Sequence, residues 1–205
     1  GGNEKSMTTA NIHLGYYMFL GLGDFGGPVP VGSAEWTSRW DLSEWERRLD
    51  RLVQLGANTL FLYILGHRLP FASRCFPDCL ETDHPNVRRE FLPDLIRAVH
   101  ARGIELVATF TTTGHAPGYV ERNRNLAIEK PDGSLSESIL CHHKPGAIDY
   151  PLGVIDECLR RYPGFDGVIL HPPEFSEPCS CTACSAAYEN AFGRRLCEAS
   201  PEEAV

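Results

Sequence analysis

The sequence has no apolar run long enough to cross a bilayer: the longest near its start, residues 16–22, falls far short of the roughly 20 residues a spanning helix needs. Residues 1–6 also lack the basic region that opens a secretory signal, so a cytoplasmic location is the default expectation. Basic charge is scarce. Against 27 Asp and Glu stand 19 Lys and Arg, a formal net charge of -8, which argues against the clustered cations that grip nucleic-acid phosphates. No nucleic-acid partner and no membrane partner are expected. Nor does any internal repeat, low-complexity tract or linker divide the chain. Residues 1–10 read as a linker around Met7, residues 11–197 as one domain and residues 198–205 as a polar tail.

What is present is ordinary in bulk and unusual in one place. The 205 residues are 42% hydrophobic and 22% charged, enough for a sizeable core. The eight cysteines, in a chain expected to be intracellular, point to metal ligands or buried thiols rather than disulfides. Cys179, Cys181 and Cys184 form a C-x-C-x-x-C cluster, too tight for strain-free local bridges and well suited to thiolate coordination of zinc. Cys75, Cys79, Cys158 and Cys197 read as buried or unpaired thiols.

Hydrophobic period gives the elements. Residues 12–20 read as a first strand and residues 21–32, rich in Gly and Pro, as an extended loop. Gly21, Gly23 and Gly26 fit a dinucleotide fingerprint by spacing, but Pro28 and Pro30 stand where the cofactor-binding helix would begin. Ser43 and Glu46 read as a capping box for a helix bearing Trp45, Leu49, Leu52 and Val53, stopped at Gly56. Residues 57–65 form a continuous apolar run typical of a buried parallel strand. A long loop then leads to a helix with Phe91, Leu95, Ile96 and Val99 on one face, Pro93 in its first turn and Gly103 at its end.

Residues 104–110 make the next strand, which empties into a polar loop reaching Tyr119. A turn follows at residues 131–134, then a helical stretch from Cys141 and Pro145 through Leu159, a strand at residues 165–170 and a last helix over residues 186–196. The order β-α-β-α-β-α-β, with right-handed crossovers, makes a parallel sheet that is either open and doubly wound or curled into a barrel.

In a barrel, the loops leaving the strands carry the chemistry. Glu174 stands in the loop after the fourth strand. His67 and Arg68 follow the second, Thr113 and His115 the third, and His171 the fourth, so all converge on one mouth if the strands are adjacent and parallel. With Tyr63 or Tyr119 as an aromatic platform, this is a set suited to binding a sugar. His67, His115 and His171 together form an alternative metal set, and His142 and His143 compete with Cys141 as zinc ligands.

These landmarks carry a resemblance. The helix-to-strand junction at residues 55–61, the strand and Thr- and Pro-containing loop at residues 102–119, Asp132 and Gly133, Cys141 with Pro145, Tyr162, and Glu174 followed by the cysteine cluster occur in one order. From about Trp45 to Leu196 the chain resembles the N-terminal half of the catalytic barrel of family 42 glycoside hydrolases, the β-galactosidase group. The fold this implies is a parallel (β/α)8 barrel of the TIM type, of which about four βα units are present. By the same resemblance Cys141, Cys179, Cys181 and Cys184 are ligands of a structural zinc, Glu174 is the general acid/base of a retaining glycosidase, and the substrate is a carbohydrate. The nucleophile of that barrel class lies at the end of the seventh strand, beyond the C-terminus of this chain. Pro173 stands where the family has an Asn, and residues 137–140 lack its Arg, so the sugar contacts differ from those of a β-galactosidase.

Three functions are therefore expected in order: a glycosidase-like barrel using Glu174, a non-catalytic zinc-stapled sugar-binding or scaffold half-barrel, and a metal-dependent sugar isomerase or hydrolase. A half-barrel leaves sheet edges bare, so a homo-oligomer is a further expectation.

Overall fold

The computed structural model describes residues 14–19, 40–65, 69–79, 90–114, 116–171 and 178–198. In chain order its elements are β1 (Gly15–Phe19), α1 (Leu42–Gln54), β2 (Thr59–Leu65), α2 (Leu92–His100), β3 (Glu105–Thr111), α3 (Pro117–Arg122), β4 (Ala127–Glu129), β5 (Leu135–Leu140), α4 (Asp149–Arg161), β6 (Gly167–His171) and α5 (Thr182–Phe192). The Gly- and Pro-rich loop expected at residues 21–32 and residues 199–205 of the polar tail lie outside the described residues.

Four strands form one parallel sheet in the order β1-β2-β3-β6. Each new strand is added on the same side of the last, so the winding never reverses. A doubly wound sheet needs a reversal, and a barrel forbids one. Strand order thus decides between the two architectures that the sequence pattern leaves open, in favour of a partial barrel.

The two faces of this sheet differ. Leu60, Leu62, Leu106, Ala108 and Phe110 point to one face, and each is 0% exposed beneath α1, α2 and α4. Those helices supply Trp45, Leu49 and Leu52, then Leu95, Ile96 and Val99, then Val154 and Cys158, at the three- and four-residue spacing that makes a helix apolar on one side. On the other face, the inner one of a barrel, Tyr17 is exposed while Phe61, Val107 and Ile169 are half-buried. Tyr17 and Phe61 stack there with ring centroids 4.9 Å apart.

Three local expectations need correction. The first helix is capped by Asp41, whose Oδ1 accepts from Glu44 N–H at 2.9 Å and from Ser43 Oγ at 2.7 Å, not by a Ser43–Glu46 box. A carboxylate reaches the free N–H groups of the first turn, and this cap is worth about 1 kcal/mol. The helix expected from Cys141 begins only at Asp149, because Pro145 and Gly146, at φ 86°, turn the chain first. The last helix starts four residues early, at Thr182, where Cys181 Sγ accepts from Cys184 N–H, and Gly193 ends it in the left-handed region.

One insert, of three elements, was not foreseen. Between β3 and α4 the polar loop holds the short helix α3 and then an antiparallel hairpin, β4–β5, around the turn at residues 131–134. This insert builds the cysteine site.

Candidate metal centre and barrel mouth

Cys141 directly follows β5. Its N–H donates to Leu126 O at 2.8 Å, which fixes the thiol beside the hairpin. Cys179, Cys181 and Cys184 follow β6, and the chain there docks against β4: Ser180 N–H donates to Glu129 O at 2.7 Å, while Ser180 Oγ bonds the carbonyls of Glu129 and Lys130. The outcome is a group of four thiols whose Sγ atoms all lie within 4.8 Å of one another. Cys141 Sγ is 3.3 Å from that of Cys184 and 3.7 Å from that of Cys181.

These distances fit a metal. Four sulfurs at about 2.3 Å from a tetrahedral zinc lie about 3.8 Å apart. A disulfide needs about 2.05 Å, and all eight cysteines are free thiols. Ile128, Ile139 and Ala183 form an apolar sheath around the sulfurs. Within it, Glu129 N–H points at Cys179 Sγ (3.4 Å) and Cys184 N–H at Cys181 Sγ (3.5 Å), donors of the kind that stabilise metal-bound thiolates. Burial pushes the Cys141 thiol up to about 11 and raises Cys184 further still, whereas the amide of Cys184 and the neighbouring thiols hold Cys181 low despite its burial. A bound cation would deprotonate all four. Neither His142 nor His143 belongs to the group; their rings pack on each other, with centroids 4.3 Å apart.

The site spans two parts of the fold. One ligand comes from the insert after β3 and three from the segment after β6, so a metal here ties the hairpin to the chain leaving the fourth sheet strand. With four protein ligands, a tetrahedral ion has no position left for a substrate.

Of the expected sugar-contacting residues, Tyr63 and His171 come together. Tyr63 is on β2 and 5% exposed, and its ring lies 5.8 Å from that of His171, the last residue of β6. Since β3 runs between those strands, the contact reaches across it, as side chains on a concave face do. Thr113 is buried just beyond β3, its carbonyl accepting from Leu140 N–H at 2.8 Å. Tyr119 is on α3, stacked on Tyr150 at 4.3 Å with Phe76 edge-on, and so is packed into the core. Glu174, His67, Arg68 and His115 lie outside the described residues, so of the alternative histidine set only His171 is described.

Sequence reading missed Thr109 and Thr111 on the inner face of β3. Their alternation with Phe110 was visible, but only the register shows that they share a face with Tyr63 and His171. No helix among the described residues is long and apolar enough to cross a membrane.

No protein family's sequence profile matches the chain, and no curated protein matches it. Solved structures do. An α-L-fucosidase isoenzyme 2 from Paenibacillus thiaminolyticus is 18% identical with a TM-score of 0.56, over 78% of this chain and 24% of that one. A polyextremophilic β-galactosidase from the Antarctic haloarchaeon Halorubrum lacusprofundi is 17% identical, TM-score 0.58, over 89% and 25%. A β-N-acetylhexosaminidase from Bacteroides fragilis is 15% identical, TM-score 0.59, over 88% and 36%. The chain thus spans a quarter to little more than a third of these proteins. At such identities the likeness concerns the fold: the parallel sheet of this chain is a partial barrel of the kind these glycoside hydrolases carry.

Proposed function

We propose that the chain is the zinc-stapled part of a carbohydrate-active barrel of the glycoside hydrolase type, in the pattern of family 42, with residues 11–197 as its structural unit. The observation that carries this reading is the four-sulfur cluster: one cysteine after the third sheet strand and three after the fourth, in the order the resemblance requires. The glycosidase names of the similar structures support a carbohydrate substrate. Free thiols throughout fit a reducing, cytoplasmic compartment.

In this reading Cys141, Cys179, Cys181 and Cys184 hold a structural zinc, and Glu174 is the general acid/base. Glu174 lies in sequence between His171, which ends β6, and Cys179, the first cysteine of the cluster after it. Retaining hydrolysis needs its carboxylic acid beside the leaving oxygen and a second carboxylate about 5 Å away. The family pattern puts that second group on the seventh strand, outside these 205 residues. Tyr63, Thr113 and His171 are the described members of the proposed sugar-binding set and His67, Arg68 and His115 its others; Tyr119, stacked on Tyr150 in the core, is left out of it.

Hydrolysis of nitrophenyl β-galactoside, α-fucoside and N-acetyl-β-glucosaminide by the native protein and by Glu174→Ala is the test. With the seventh-strand carboxylate present, the reading expects at least one to be cleaved and the variant to lose about a hundredfold or more. Unchanged turnover in Glu174→Ala contradicts the assignment. Sugar binding without hydrolysis in the wild type would select the non-catalytic, sugar-binding scaffold instead.

A further inference from the structure

The two segments that supply the four sulfurs contribute unequally. Cys141 alone comes from the insert after β3, whereas Cys179, Cys181 and Cys184 come from one stretch of six residues leading into α5. Any disulfide formed without Cys141 therefore joins two members of that short stretch. Its backbone is already pinned: Ser180 N–H donates to Glu129 O at 2.7 Å, Glu129 N–H points at Cys179 Sγ, and Cys181 Sγ caps α5 by accepting from Cys184 N–H. A local bridge has to bend this backbone away from disulfide geometry.

Cys141 and Cys184 carry no such constraint, because their side chains meet from separate elements. Their Sγ atoms are 3.3 Å apart, closer than the 3.7 Å between Cys141 and Cys181, and a side-chain shift of about 1 Å brings them to bonding distance. The two also differ in access. Cys184 is half-buried, within reach of a small solute, while Cys141 is 1% exposed behind it in the apolar sheath. An accessible sulfur backed by a buried partner is the arrangement in which a first oxidation is trapped as a disulfide. Both are thiolates when a cation is bound, the form that attacks a peroxide.

We propose that Cys184 and Cys141 are a reversible oxidation site for small hydroperoxides, Cys184 reacting first and Cys141 closing the disulfide. The Cys184 sulfur attacks one peroxide oxygen: an S–O bond forms, the O–O bond breaks, and the other oxygen leaves as water or an alcohol. The Cys141 sulfur then attacks Cys184: the S–S bond forms, the S–O bond breaks, and that oxygen leaves as water. Two sulfurs together give up two electrons, the peroxide takes both, and the protons come from the thiols or, where these are thiolates, from solvent. Only Cys179 and Cys181 then remain as ligands, too few to close a tetrahedral site, so the metal is lost. The insert stays tied to the chain after β6, because the new bond joins the same two segments. The inference rests on the metal reading above and adds to it a modification and its consequence.

The test treats the zinc-loaded native protein with hydrogen peroxide, blocks the remaining thiols and maps bridged peptides by mass spectrometry, while a chromophoric chelator follows released zinc. Expected are a Cys141–Cys184 peptide as the main bridge, one zinc released per bridge, and recovery of both thiols with dithiothreitol. Hydrogen exchange in residues 127–141 is expected to stay slow, because a covalent tie has replaced the metal. Peroxide that oxidises the exposed Cys75 and Cys197 but leaves Cys141 and Cys184 unbridged overturns the inference, and zinc still bound at that point leaves the metal reading standing. A main bridge within residues 179–184 also overturns it. A wild type that takes up no zinc removes the metal reading and this inference together.

Discussion

Glu157 carries a carboxylate into the interior at 7% exposure, where an unpaired charge would be prohibitive. It is matched: Ser73 Oγ and Arg74 N–H donate to it at 2.6 Å each, and Arg161 lies at 3.3 Å. Burial favours its neutral form, but these donors and Cys75 N–H outweigh burial and hold its pKa below the ordinary 4.5. A depressed carboxylate stabilises the fold above its unfolded value and loses that effect as pH falls through its folded one. Glu157→Gln is therefore expected to lose about 1.5–3 kcal/mol near neutral pH, with the gap to wild type closing below about pH 4.5. Urea midpoints at neutral and acid pH would check this, and a pH-independent gap would count against it. Little of this network was legible beforehand, because residues 73–75 and Glu157 are 82 to 84 positions apart along the chain. The cysteine cluster was legible because three of its members fall within six residues.

At the scale of elements, the β4–β5 hairpin links chemistry to fold. Its turn at residues 131–134 could be read from Pro, Asp and Gly, but its strands could not. Ala127–Glu129 is only three residues, and Leu135–Leu140 contains two serines and a glutamate, a pattern without strong strand preference. What makes them strands is tertiary: β5 packs on α3, Leu140 N–H bonds Thr113 O, and the cysteine segment bonds the carbonyls of Glu129 and Lys130. In the proposed reading, a metal held by the four cysteines would clamp this arrangement. Stripping it with a chelator, or substituting Cys141→Ser, is expected to raise hydrogen exchange in residues 127–141 and 178–192 while β2 and β3 stay protected, as read by mass spectrometry. Equal loss across the sheet, or no loss anywhere, would show that the hairpin is not held by the cysteines.

For the whole molecule, the sequence conveyed the layers and not the closure. Continuous apolar runs at residues 57–65 and 104–110 announce parallel strands, yet a run cannot say which neighbour it takes. That the order is β1-β2-β3-β6, without reversal, emerges only from pairing. The same order explains the surface. Val168 and Leu170 share a face with Ala108 and Phe110 by register, but are 43% and 57% exposed where their neighbours are 0%. Helices cover the middle of the sheet, and its edge strands carry apolar groups of the sort that a protein interface or further barrel units would cover.

In the proposed reading, four cysteines from two βα loops hold one structural metal ion. Elemental analysis of metal per chain, on reduced wild type and on Cys181→Ser, tests it most directly. One zinc per wild-type chain is expected, lost in the variant together with cooperative melting. A wild type that folds and carries no metal would contradict it, and with it the strongest link between this chain and a glycosidase barrel.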